Sequence, residues 1–215
     1  MATLRFSVIA LALALGAPLA AQEANFGLGL SLSFPTGAFH STNYAPSGGV
    51  TVPSNESYDT TVGGEFTVSF PVQPNFAWRL DIYAQGTSGE DTAPGYASYD
   101  LRHTLFSLGG EAQWFLADGD AYRHRGTFLL AGASMDLERF TLDYDYPYWT
   151  SYSVNKTRAG GLLGWGYAFR PYRGWHSDVE VAYHKTLDPG STAYNFPTPP
   201  TPAADFLRLT YAIIF

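Results

Sequence analysis

The sequence has no cysteine, so no disulfide can staple the fold. Charge is scarce, at 14% of 215 residues, and it leans acidic, with 12 Lys and Arg against 19 Asp and Glu. Nucleic-acid binding calls for a basic face, so a net charge of −7 argues against that partner. Beyond residue 21 no run reaches the ~18 apolar residues of a membrane helix. There is no His-x-x-x-His pair and no EF-hand spacing, and Asp118-Gly119-Asp120 reads as a turn. No metal and no cofactor is expected. What is abundant is aromatic residues, at 16%, and glycine, at 22 residues. Low charge, many aromatics and no long apolar run suit strands better than helices.

The first 21 residues, MATLRFSVIALALALGAPLAA, hold one basic residue, an apolar run of about ten residues and a small-residue end. That is the layout of a secretory signal peptide, with cleavage expected after Ala21. Residues 22–215 then form one domain, and loss of Arg5 takes the net charge from −7 to −8.

The domain alternates. In NFGLGLSLSF, Phe26, Leu28, Leu30, Leu32 and Phe34 share one face, and Gly27, Gly29, Ser31 and Ser33 the other. Period two over this length predicts a strand, about as long as a tilted strand crossing a membrane. The pattern returns over 62–70, 76–85, 99–116, 127–140, 154–169, 175–185 and 207–215. Eight strands are predicted. The connections at 71–75, 117–126 and 170–174 are mostly shorter than those around 35–60, 86–98, 141–153 and 186–204. Short turns on one side and long loops on the other are the mark of outer-membrane barrels.

Charge decides the orientation. Glu65, Arg79, Asp81, Glu111, Arg158, Glu180 and Arg208 lie on the less apolar faces, as do Asp136, Glu138 and Asp178. A basic residue facing lipid at mid-bilayer costs about 2–4 kcal/mol, so these faces point into the barrel. Phe26, Phe70, Trp78, Trp114, Phe169, Trp175 and Phe215 sit on the greasy faces beside the short connections or the termini. That places them as an aromatic girdle at one membrane interface. A soluble sandwich also alternates, but gives no reason to stack aromatics at one end of every strand. The predicted fold is all-β: a closed antiparallel eight-stranded transmembrane barrel with both ends in the periplasm.

The ending LRLTYAIIF resembles the signal that barrel-insertion machinery reads in outer-membrane proteins. The domain as a whole resembles the OmpA-like outer-membrane β-barrel family. The resemblance implies a bacterial outer-membrane location, contact with outer-membrane lipid, and insertion through the C-terminal strand. OmpA proper carries a peptidoglycan-binding domain after its barrel. This chain ends on its last strand, so no cell-wall anchoring role is carried over.

An interior of eight strands is just wide enough to be filled by side chains. The expected filling is a charge-paired plug of Glu65, Arg79, Asp81, Glu111, Arg158, Glu180 and Arg208. The function expected is non-enzymatic, membrane-structural or at the surface. The alternative is a narrow channel for small solutes or small hydrophobic compounds, like the OmpW type. Interior glycines such as Gly27, Gly164 and Gly166 would leave a watery vestibule near the turns. A third reading is a lipid A-modifying enzyme, since a deacylase and a palmitoyltransferase share this scaffold. Catalysis needs a nucleophile and a base within reach, but His176 and Ser177 point to opposite faces, and His40, His124 and His184 are scattered. No catalytic residue is assigned. The long loops offer a contact patch for an extracellular ligand at Asp143, Tyr146, Tyr148 and Trp149. The Pro-rich stretch 194–205 is expected to be extended rather than sheet.

Overall fold

An alternating chain in an apolar medium must pair every backbone amide with another strand, and only a closed barrel leaves no edge. The computed structural model describes residues 24–37, 57–91, 99–144, 150–169, 175–188, 190–191 and 201–215. The expected leader 1–21, His40, Tyr146, Tyr148 and Trp149 lie outside them. Eight antiparallel strands form the barrel: β1 (Asn25–Pro35), β2 (Thr61–Gln73), β3 (Phe76–Asp91), β4 (Tyr99–Phe115), β5 (Gly126–Tyr144), β6 (Thr150–Ala168), β7 (His176–Thr186) and β8 (Phe206–Ile214). Each pairs with its sequence neighbours, and β1 also pairs with β8, from Gly27–Ile214 to Pro35–Phe206. Phe26 and Phe215 exchange two backbone hydrogen bonds of 3.0 and 2.8 Å, which tie the seam at the turn end.

The outer wall carries an apolar belt. Leu28, Leu30, Leu163 and Leu209 are all exposed, Leu30 by 70% and Leu163 by 68%. Large apolar patches on a water-facing surface are rare, whereas this one circles the barrel. On every strand it lasts about nine residues, the length a tilted strand needs to cross hydrocarbon. At its turn-side rim stand Phe26, Trp78, Trp114, Phe169, Trp175 and Phe215, all exposed, and the half-buried Phe70. Phe70 pairs with Trp78 across the β2–β3 turn, and Phe76 packs against Trp78 and Trp114 at 5.2 and 5.5 Å.

The strands are unequal, and this corrects the loop boundaries. β5 and β6 have 19 residues each, whereas β7 has 11 and β8 has 9. Residues 86–91, 141–144 and 150–153, expected in loops, are strand. A tall wall of β3–β6 therefore rises past the belt, opposite a low wall. The expectation failed because the phase of alternation inverts at the belt's edge. Along β5, Leu129 to Leu137 point out, but above them Arg139, Thr141 and Asp143 point out while Phe140 and Leu142 are buried inside. On β4, Phe106 points out, but higher up Leu101 and Leu105 are inside and Arg102 and Thr104 outside. Above lipid the outside is water, so the apolar set turns inward.

Among the described residues, one segment folds into the loop-side mouth from within. Thr201–Pro202 pairs with Gly190–Ser191, and residues 201–206 are all buried. So this end of the Pro-rich stretch is not simply an extended linker but a strap folded into the barrel. Leu30→Arg at the middle of the belt should destabilise the barrel folded in lipid vesicles by about 2–4 kcal/mol. Urea titration of the refolded barrel measures it, and no loss would mean that this wall does not face lipid.

Candidate functional site

The barrel interior brings the inward charges together. Arg79 on β3 donates from Nε to Glu111 Oε2 on the neighbouring β4 at 2.7 Å. Its guanidinium also crosses the lumen to β7, where Nη2 meets Glu180 Oε2 at 2.8 Å and Nη1 meets Oε1. The fork of the guanidinium suits such two-point contact. Arg208 on β8 reaches Asp81 on β3 at 3.2 Å and Glu65 on β2 at 3.5 Å, with its guanidinium 4.8 Å above the Tyr83 ring. Tyr83 shares hydrogen bonds with Ser33 at 2.6 Å and Gln85 at 2.7 Å. All these side chains are buried.

Arg158, the last of the seven expected lumen charges, does not join the other six. It pairs with Glu138 at 3.0 Å and donates to the carbonyls of Thr201 and Pro202, both at 2.7 Å. It therefore anchors the strap. Asp205 accepts from the Thr186 amide at 2.9 Å, and its own carbonyl accepts from the Thr36 amide at 2.9 Å.

Of the histidines expected to be scattered, His124 and His184 both line the barrel interior, and His103 does too. Each is buried beside a carboxylate. His124 meets Asp178 at 2.6 Å, His184 meets Asp136 at 3.1 Å, and His103 lies 3.7 Å from Glu138. His124 comes from the β4–β5 turn with φ 42°, a left-handed conformation that non-glycine residues rarely adopt. The turn curls back and lowers this ring into the barrel, against Phe115 and Phe128.

One spatial cluster of serine, histidine and acid is present. Ser134 Oγ lies 3.3 Å from His184 Nε2 and donates to Asp136 Oδ1 at 2.9 Å, and Ser107 donates to the same oxygen at 2.7 Å. In a relay the base receives the nucleophile on one nitrogen and its orienting acid on the other. Here serine and acid crowd one nitrogen, and Nδ1 faces the Ala204 carbonyl at 3.3 Å. The cluster spans β5 and β7 because β6 puts Gly160 between them, where a Cβ would collide with Ser134, Asp136 and His184. That glycine is the one sequence signal of the cluster.

Glycine does not open a vestibule near the turns. A Cβ at Gly27 would strike Thr67 and Ile214, at Gly164 Ala182, and at Gly166 Phe128. The space belongs to neighbouring side chains, and an apolar cluster including Phe115, Phe128, Leu130 and Leu162 fills the turn end. Toward the loops, Leu101, Phe140, Leu142 and Ala204 pack with Tyr58 under the strap.

Outside, Asp143 stands on the outward face of β5, bridged to Arg102 at 3.3 Å. It is a strand residue and not a loop residue. Its expected companions Tyr146, Tyr148 and Trp149 lie outside the described residues.

No family model matches the chain, and no curated protein gives a significant match. Among solved structures it is similar to Ail, the attachment invasion locus protein of Yersinia pestis. Identity is 9%, coverage 89% of this chain and 93% of that one, and the TM-score 0.43. It is also similar to the outer membrane protein AlkL, with 12% identity, coverage of 90% and 91%, and a TM-score of 0.47. At these scores the fold rests on the chain's own strand pairings.

Arg79→Met leaves Glu111 and Glu180 buried without their cation, and should cost about 3–5 kcal/mol. Adding Glu111→Gln and Glu180→Leu should recover most of the loss. Urea midpoints in lipid vesicles test both, and equal stability of Arg79→Met and wild type would dismiss the network. Gly160→Val should separately cost about 1–3 kcal/mol by overpacking, with the imidazole signal of His184 shifted in NMR spectra.

Proposed function

We propose that this chain is a non-enzymatic bacterial outer-membrane barrel, closed to bulk flow, whose function is structural or exercised at the surface it raises above the bilayer. The observation that carries this reading is the filling of the lumen in layers by side chains. An apolar layer lies at the turns, ion pairs span the middle, and a strap lies across the mouth. The belt supports residence in lipid, and the leader 1–21 supports export. Alternation up to the terminal Phe215 supports insertion through β8 by barrel-insertion machinery, as in OmpA-like barrels. The tall wall favours contact with an extracellular ligand on that side, at Asp143 and the loop beyond it. The shared Nε2 contacts of His184, sealed beneath the strap, speak against hydrolytic chemistry at Ser134.

Planar-bilayer recording of the refolded chain, with insertion verified, tests the reading. Wild type should show no conductance steps, and Arg79→Ala should show none either, because the apolar layers remain in place. Steady, salt-dependent steps in wild type that change in Arg79→Ala would replace this reading with a small-solute channel whose charges line the path.

A further inference from the structure

The outer wall has a second charged feature, separate from the lumen. Arg102 on β4 pairs with Thr141 on β5, and Thr104 pairs with Arg139. Arg102 and Arg139 therefore stand diagonally on one outward face, about 7–8 Å apart at the backbone. The next outward pair toward the turns is Phe106–Leu137, the top of the belt on these strands. Arg139 stands one such step above that pair, about 7 Å along a strand, and Arg102 two steps, about 14 Å, both less in height on a tilted strand. The headgroup layer beyond the hydrocarbon is about 5–7 Å thick on each side. Arg139 thus stands at the level of lipid headgroups, and Arg102 just above it, with a side chain long enough to reach down to the same layer.

We propose that Arg102 and Arg139 form a binding site for the phosphate monoester of an anionic lipid headgroup, in preference to the phosphodiester of a zwitterionic one, in the leaflet beside the tall wall. The inference rests on the membrane reading above and adds a ligand class to it. Guanidinium is the side chain best matched to phosphate, through paired N–H donors. Neither arginine is firmly held. Arg102 is 63% exposed, and its bridge to Asp143 is a surface pair of the kind that contributes little. Among the described residues, Arg139 reaches Ser153 Oγ at 3.5 Å, the outer limit of a hydrogen bond. The acids are placed one step higher, with Asp100 opposite Asp143. A headgroup at the belt's rim therefore meets cations first. Asn155 and Ser153, paired with Arg139 and Thr141, add neutral donors on the same face. On the low wall, Lys185 also stands past the belt, but it is paired with Asp205 at 3.5 Å.

The test uses the refolded barrel in phosphatidylcholine nanodiscs doped with a bisphosphorylated disaccharide lipid, its dephosphorylated form, or inorganic phosphate alone. Native mass spectrometry counts the lipid retained. Wild type should retain the phosphorylated lipid about tenfold better than Arg102→Gln/Arg139→Gln, with intermediate retention by Arg102→Lys/Arg139→Lys. Lys185→Gln should behave as wild type, and the dephosphorylated lipid should not be retained. Equal retention by wild type and the double glutamine variant, or no preference for the phosphorylated lipid, overturns the site. Binding of inorganic phosphate as strong as that of the lipid overturns its assignment to a headgroup. Failure of wild type to enter nanodiscs at all overturns the membrane reading itself, and the site with it.

Discussion

Everything in this molecule follows from one constraint: hydrocarbon accepts neither an unpaired amide nor a lone charge. Closure of β1 on β8 satisfies the first demand and alternation the second. Once the outer face of every strand is apolar for the depth of a bilayer, the polar half of the pattern has only the lumen to go to. Arg79, Arg208 and Arg158 meet their acids there because a one-residue slip would put a strand's whole polar set into lipid.

The interior is specific as well as full. Buried ion pairs add little net stability over well-packed apolar residues, but are costly when one partner is lost. Arg79 joins β3 to both β4 and β7, and Arg208 joins β8 to β2 and β3. Such cross-lumen links tie strands that are not neighbours in the sheet. Glycine completes the fit. At Gly160 and Gly166 the missing side chain is the room that another strand's side chain occupies.

The strands and their faces were legible in the sequence because period two needs no knowledge of the partner. Phe26 to Phe34 and Leu207 to Phe215 could be oriented from their own composition. The lumen charges could be assigned to the inside, but their partners could not, since which residues meet depends on stagger and closure. Hence Arg158 was grouped with Arg79, although it belongs to the strap. His184 and Asp136 lie on strands separated by β6, so nothing along the chain joins them. The top of β5 was hidden because its alternation changes phase where lipid gives way to water, and residues 141–144 then read as loop.

The strap is the approach to the final strand, since Asp205 leads straight into Phe206. Its seat is made by β6 and β7, through Arg158, His184 and Thr186, and by Thr36 just beyond β1. A barrel still lacking its eighth strand has an unstoppered mouth as well as an open side. When β8 docks on β1, both gaps shut together. The seam and the stopper are one piece of chain, so the link that closes the wall also carries the segment that occupies the mouth.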